Sequence, residues 1–273
     1  MSRARAALIA AGAVRAARVG LDLVSDDRWT RTNHRGEPVS LLAGPTAVAG
    51  LAAGSLAGGG RAGAAGAVAA LGAGACGLVD DLAERPELAR KGLRGHLGAL
   101  RDGEVTTGAL KVIGIAAVGV AASTLLGGGP GSTRRGVVGR GVDVVGSGAL
   151  IAATANLVNL LDLRPGRALK AGAVLAAPVL ATRRGGGLAA AVLGASAALA
   201  PPDLSERDML GDAGANAVGA VLGTAVVAAA PRPVRLAWLA GVVGLTVASE
   251  RVSFSAVIER NAFLRRIDDW GRR

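Results

Sequence analysis

The chain has 273 residues, 51% of them hydrophobic, and its mean hydropathy is +0.44. This is too apolar for an ordinary soluble domain, and several apolar runs approach the roughly 20 residues that a membrane-spanning helix needs. The formal net charge is +11, but the cations lie in short segments between apolar runs, which is typical of membrane proteins and argues against nucleic-acid binding. The single cysteine, Cys76, excludes an internal disulfide.

The hydropathy pattern predicts an all-α, polytopic membrane bundle. Eight apolar runs qualify as spans, and in chain order they cover residues 41–59, 62–79, 108–126, 141–161, 171–182, 188–200, a run ending near 230, and 234–249. Residues 1–24 resemble a signal peptide, but Arg15 and Arg18 interrupt their apolar core, so a poor first span and an interfacial helix stay open. We therefore expect eight spans, or nine with the first segment, in a domain of residues 1–249.

Residues 250–273 are predicted to form an amphipathic tail. The apolar residues that can share one helical stripe are Phe254, Val257, Ile258, Leu264, Ile267 and Trp270. Such a helix suits the inner membrane interface, and a flap that covers a site is the alternative.

The distribution of cations predicts the orientation. The segments 25–40, 80–111, 162–170, 201–212 and 250–273 together carry nearly twice as many Lys and Arg as the segments on the opposite side. By the positive-inside rule these segments face the cytoplasm. All three lysines, Lys91, Lys111 and Lys170, lie in these segments or at their edges. In a chain that otherwise uses arginine, this indicates that the lysines are not interchangeable with arginine.

The first motif is the pair Asp80-Asp81, which follows directly on an apolar run and is followed in turn by Lys91. Carboxylates at the end of a span are costly unless they are paired or bind a cation. They can hold a metal or take a proton from a phosphate, and the lysine can hold a phosphate as a point charge. The alternative is a solvated pair of loop charges.

The second motif is Asn156, Asn159 and Asp162, at the inner end of a predicted span. Spacings of three put these polar side chains on neighbouring parts of one helical face. Their oxygens suit Mg²⁺, and hydrogen bonding between helices is the alternative.

The third motif, Gly211-Asp212-Ala213-Gly214, opens an apolar run. Glycine allows a ligand to approach the backbone, a helix N-terminus favours phosphate, and Asp212 could hold a metal there. Plain helix capping by Asp212 is the alternative.

The segments VDDL, NLVNLLD and MLGDAG, with a lysine after the first, occur in this order between apolar runs. In this combination the chain, over about residues 25–250, resembles the polyprenyl-phosphate N-acetylhexosamine-1-phosphate transferases. These include the phospho-N-acetylmuramoyl-pentapeptide transferase and the undecaprenyl-phosphate GlcNAc-1-phosphate transferase. The resemblance implies a multi-span enzyme of a bacterial inner membrane with cytoplasmic motif loops. It would use Mg²⁺ to move a sugar-1-phosphate from a UDP-sugar to a polyprenyl phosphate, such as undecaprenyl phosphate, and release UMP.

The resemblance also implies roles for individual residues. Asp80, Asp81 and Asp162 are expected to be catalytic, with one of the paired aspartates deprotonating or positioning the lipid phosphate and Asp162 helping to build the nucleotide–metal site. Asn159 and Asp212 are expected to ligate Mg²⁺. The residues expected to bind substrate are Lys91, Asn156, Arg35 and His96. The expected partners are the lipid phosphate, the UDP-sugar and membrane lipid, with no nucleic acid, and a homodimer stays open.

Two departures from the family pattern keep alternatives open. The family usually carries a His-rich motif in its last cytoplasmic loop, associated with sugar recognition, but residues 250–273 contain no histidine. After Asp162 the family often has a second acidic residue, where this chain has Leu163-Arg164-Pro165. One alternative is therefore a relative that binds lipid phosphate or nucleotide and serves envelope assembly without turnover. A small transporter or channel is disfavoured, because no charge cluster lies in the middle of an apolar run.

Overall fold

The structure, a computed structural model, describes residues 2–23, 27–33, 35–83 and 107–272. These ranges contain eleven α-helices and one antiparallel hairpin. The helices are α1 Arg3–Asp22, α2 Ala43–Gly58, α3 Gly60–Ala83, α4 Thr107–Leu125, α5 Val137–Leu161, α6 Arg167–Leu180, α7 Gly186–Leu204, α8 Gly211–Ala229, α9 Arg232–Ser249, α10 Phe254–Arg260 and α11 Ala262–Asp269. The hairpin strands are β1 Thr30–Thr32 and β2 Pro38–Ser40.

Helix α8 forms the centre of the bundle. Nearly all of its residues are buried, and it packs against α2, α3, α5, α6 and α7. Small residues make this possible: a Cβ built on Gly219 would lie only 2.6 Å from the Cα of Ala155 on α5. Close backbone approach of this kind stabilises helix association in lipid. There the hydrophobic effect contributes little, because lipid tails are as apolar as the side chains that would leave them.

The helices α1 to α9 run alternately in opposite directions, which gives the bundle two ends. One end, called the acidic end, holds the last turns of α3, α5 and α7 with the first turns of α4, α6 and α8, as shown by contacts of Asp80 with Lys111 and of Asp203 with Gly166. The opposite end, called the arginine end, holds the first turns of α1, α3, α5, α7 and α9. There the buried Asp143 accepts a hydrogen bond from Ser132 Oγ at 2.8 Å and lies 3.1 Å from Arg232 Nε.

Five helices among the described residues are long and apolar enough to cross a membrane, namely α3, α4, α5, α7 and α8. A sixth span results if α9 and α10, which meet at 93°, count as one bent span. The all-helical fold is therefore consistent with a multi-pass membrane protein, as the composition predicts. The expected eight or nine spans and the orientation of the loops stay predictions.

The predicted runs match the helices, but several boundaries were wrong, and two of the differences concern the acidic end. Helix α3 continues past Val79 to Ala83, so Asp80 and Asp81 lie on its last turn rather than in a loop. Helix α7 continues through Pro201 and Pro202 to Leu204. Neither proline can donate a backbone N–H to the preceding turn, and the helix ends within two residues of Pro202, where the carbonyl oxygens of both prolines accept the bonds that close the helix end.

Residues 3–22, whose role the sequence left open, form a helix of the bundle. The buried side of α1 consists of Ala6, Ala10 and Val14, and the helix packs against α2 and α7. It is not among the five candidate spans. At the acidic end the hairpin extends the bundle, because the backbone of Ser40 pairs with Arg207 and Met209 in the α7–α8 connection.

Candidate active site

Three helices bring Asp80, Lys111 and Asp212 together at the acidic end. The Nζ atom of Lys111 on α4 lies 2.5 Å from Asp80 Oδ2 on α3 and 2.5 Å from Asp212 Oδ2 on α8. The three side chains are mostly shielded from solvent, with exposed fractions of 16%, 12% and 25% for Lys111, Asp80 and Asp212. One ammonium group therefore links two carboxylates that come from the first and third motifs.

Asp81 caps helix α8 from a neighbouring helix. Its Oδ1 and Oδ2 atoms accept hydrogen bonds of 2.9 Å from the backbone N–H groups of Asp212 and Ala213. These groups would otherwise be left without partners at the helix start. Gly211, at φ 58°, makes this approach possible, because a Cβ there would lie 3.0 Å from both oxygens of Asp81. The N–H groups that could have bound a phosphate are thus engaged by Asp81. Capping of α8 by the Asp212 side chain, the alternative that the sequence left open, is not observed, and Asp212 Oδ2 contacts Lys111 instead.

Asp162 ends α5 and adds a fourth carboxylate. Its Oδ2 atom is buried and has no hydrogen-bond partner among the described residues. Burial raises the pKa of the Asp162 carboxyl well above its ordinary value, and the charges of Asp203, Asp212 and Asp81 raise it further, against a backbone hydrogen bond from Gly211. An orphaned oxygen surrounded by like charges is a place where a cation would be stabilised.

The described residues do not form a complete metal cage: no three His, Cys, Asp or Glu side chains within them converge on one point. Mg²⁺ usually takes one or two protein carboxylates and completes its shell with water and substrate phosphate oxygens. The orphaned oxygen of Asp162 and the carboxylate of Asp212 fit that requirement. Asn159, one turn before Asp162, makes no side-chain hydrogen bond within the described ranges and offers a further oxygen.

The remaining residues expected at the site have different surroundings. Arg35 pairs with Glu206 at 2.9 Å, which ties the hairpin to the α7–α8 connection. Asn156 donates a long hydrogen bond of 3.4 Å to Thr246 on α9, so it faces that helix. Lys91 and His96 lie outside the described residues.

Two residues of the acidic end did not enter the expected site. The rarity of lysine, with only three in the sequence, indicated that Lys111 could have a specific role. Its contacts with Asp80 and Asp212 could not be predicted, because both aspartates are far from it in the sequence. Asp203 is buried and accepts a hydrogen bond from the backbone N–H of Gly166. The sequence placed Asp203 in a loop, because the predicted apolar run ended at residue 200, whereas α7 continues to Leu204.

The tail docks at the start of α6 and on the connection that precedes it. Instead of one amphipathic helix it forms α10 and α11, separated at Asn261, and Asp268 of α11 is buried. Arg167 donates two hydrogen bonds of 2.9 Å to the Asp268 carboxylate, and Arg272 Nε donates one of 2.9 Å to Pro165 O. The tail is thereby fixed to the α5–α6 connection, which begins at Asp162, while Trp270 stays exposed.

Comparison with known proteins adds no relative. No protein-family model and no curated protein matches this chain.

Proposed function

We propose that the protein is a Mg²⁺-dependent membrane transferase that moves a sugar-1-phosphate from a UDP-sugar to a polyprenyl phosphate. The observation that carries the proposal is the convergence of Asp80, Asp81, Asp162 and Asp212, from three motifs far apart in sequence, at one end of an apolar bundle. Phosphoryl transfer depends on positioning and on charge stabilisation, and needs oxygen ligands for a metal with a cationic group for the phosphates. The acidic end offers both. We place this end in the cytoplasm of a bacterial inner membrane.

The residues take distinct roles in this proposal. Asp212, with Asp162 and Asn159, would hold Mg²⁺, which when bound neutralises diphosphate charge. Lys111, which contacts Asp80 and Asp212, is a cation within the acidic end that can hold a phosphate oxygen. Asp81 is engaged at the start of α8 and acts by positioning Asp212, so Asp80 is the carboxylate that receives a proton.

The reaction then has a balanced form. An oxygen of the lipid phosphate attacks the phosphorus that carries the sugar, forming a new P–O bond. The bond from that phosphorus to the bridging oxygen breaks, and UMP leaves with that oxygen. If the lipid phosphate arrives singly protonated, its proton passes to Asp80.

The test is UMP release by the detergent-purified chain with undecaprenyl phosphate, Mg²⁺ and a panel of UDP-sugars. We expect release with one donor, at least a hundredfold loss in Asp212→Asn, and a comparable loss in Asp80→Asn. Asp143→Asn is the matched control, since it removes a buried carboxylate at the arginine end and should leave turnover per folded molecule unchanged. Undiminished turnover in Asp212→Asn would refute the metal assignment.

A second candidate is a relative that binds Mg²⁺–nucleotide or lipid phosphate without turnover and serves envelope assembly. It is favoured by the direct Lys111 bridge between Asp80 and Asp212 and by the tail without histidine. Folded protein that binds Mg²⁺–UDP-sugar but releases no UMP with any donor would support it. UMP production from any UDP-sugar would exclude it.

A further inference from the structure

The arginine end contains a cavity that the proposed transfer reaction does not use. Its volume is about 510 Å³, within the range of roughly 300–1,000 Å³ that small-ligand sites occupy. Three elements form it: the start of α1, the α2–α3 connection and the α6–α7 connection. Helix α3 begins at this cavity and ends at the acidic cluster, so the two sites are separated by the length of the bundle.

The charge of the cavity has one sign. Arg3, Arg183 and Arg184 line it, and among the described residues none of its lining side chains is acidic. Arg183 and Arg184 are exposed and have no ion-pair partner in the described part of the chain. Arg3 is fixed in place, because its guanidinium donates hydrogen bonds of 3.0 and 3.3 Å to the carbonyl oxygens of Ala181 and Thr182. Arginines left unpaired around a cavity are suited to a phosphate group, which they can bind with two parallel hydrogen bonds.

The backbone adds to this potential. Helices α1, α3 and α7 all begin at the cavity, so the positive ends of three helix dipoles point toward it. Glycine allows the backbones that line the cavity to approach closely, since a Cβ on Gly187 would lie 3.2 Å from the Cα of Gly58. Leu188 also lines the cavity, but it is almost fully buried and contributes little of its surface.

We propose that this cavity binds a phosphate-bearing ligand at the end of the bundle opposite the acidic cluster. The anionic headgroup of a phospholipid and a soluble phosphate or diphosphate share this chemistry. The proposal is independent of the transfer reaction, because it uses none of the residues of the acidic end.

Isothermal titration of the full detergent-purified chain tests the proposal with three probes: dioctanoyl phosphatidic acid, dioctanoyl phosphatidylcholine and inorganic pyrophosphate. We expect phosphatidic acid to bind and Arg183→Gln/Arg184→Gln to weaken it by at least about tenfold, because each arginine contributes about 1 kcal/mol to anionic lipid binding. Arg134→Gln/Arg140→Gln is the matched control. It removes two exposed arginines of the same end outside the cavity and should change affinity by less than about threefold.

The outcomes separate the two sources of ligand. Phosphatidic acid binding that pyrophosphate does not displace identifies a lipid headgroup, and displacement by pyrophosphate identifies a soluble phosphate compound. Equal losses in the two double variants, equal binding of phosphatidylcholine, or no binding of either anionic probe would overturn the proposal. If the double variant proves unstable, Arg183→Gln and Arg184→Gln are measured singly, and each is expected to lose about threefold or more.

Discussion

Removal of the Lys111 charge tests the acidic cluster most directly. Breaking a buried ion pair by deleting one partner costs about 3–5 kcal/mol, because the other charge stays buried and uncompensated. Lys111, Asp80 and Asp212 keep exposed fractions of 16%, 12% and 25%, which places the cost at the lower limit. We expect Lys111→Met to lower the free energy of unfolding by about 3 kcal/mol.

A double-mutant cycle assigns this loss to the pair rather than to the side chain alone. Asp80→Asn and the double variant Asp80→Asn/Lys111→Met complete it, and we expect a coupling energy of at least about 1 kcal/mol. The assay is unfolding of the detergent-purified protein by dodecyl sulfate, followed by tryptophan fluorescence. Arg140→Met, at an exposed cation, is the control and should stay within about 0.5 kcal/mol of the original protein.

Mg²⁺ provides a second readout from the same variants. Because Lys111 separates two carboxylates, its removal leaves oxygen ligands to which a divalent cation can bind. Mg²⁺ should therefore recover part of the stability of Lys111→Met and less of that of the double variant. A loss below about 0.5 kcal/mol in Lys111→Met, or an additive cycle, would refute the bridge as a stabilising contact.

Three further predictions concern the site and its surroundings. Gly77→Ala should destabilise the protein by about 1–3 kcal/mol, because the added Cβ would overlap the Asp212 carbonyl, whereas Gly146→Ala, which meets open space, should be neutral or slightly stabilising in the same unfolding assay. Asp162→Asn should raise the free energy of unfolding at pH 7 by about 1 kcal/mol, since it removes a buried carboxyl that must either stay charged or take up a proton on folding; a loss of stability would contradict that account. Although burial alone would raise the pKa of Asp268, hydrogen bonds and charges of two arginines outweigh it and hold that pKa below its usual value. The ionised carboxyl therefore stabilises the docked tail above its unfolded pKa of about 3.9 and loses that contribution as the pH falls through the lower, folded value. The stability difference between the original protein and Asp268→Asn should accordingly shrink on acidification below about pH 4, and a difference that grows would contradict the sign.

The sequence was sufficient to predict most of the helices, because apolar runs and helices coincide. The run at 41–59 became α2, and the run at 234–249 became the larger part of α9. It also predicted that four aspartates share one end, since each stands where an apolar run starts or stops. Such a rule depends only on the alternation of spans, which the sequence displays.

The contacts among those aspartates were beyond the sequence. Whether Asp80 or Asp81 faces Lys111 depends on the rotation of α3 about its axis, and adjacent residues on a helix differ by about 100°. The capping of α8 by Asp81 likewise depends on the close approach of Gly77 to Asp212. The contact of Asn156 could not be predicted for the same reason, because which face of α5 meets α9 depends on how the two helices pack.

The central position of α8 has a consequence for the order in which the protein can assemble. Helix α8 is the eighth helix along the described chain, yet the earlier helices α2 to α7 all pack against it. A nascent chain that has been synthesised only as far as α7 therefore contains the surrounding helices but lacks the central helix against which they pack. Until synthesis passes Ala229, the surfaces that α8 covers lack their partner in the bundle and Asp81 has no helix to cap.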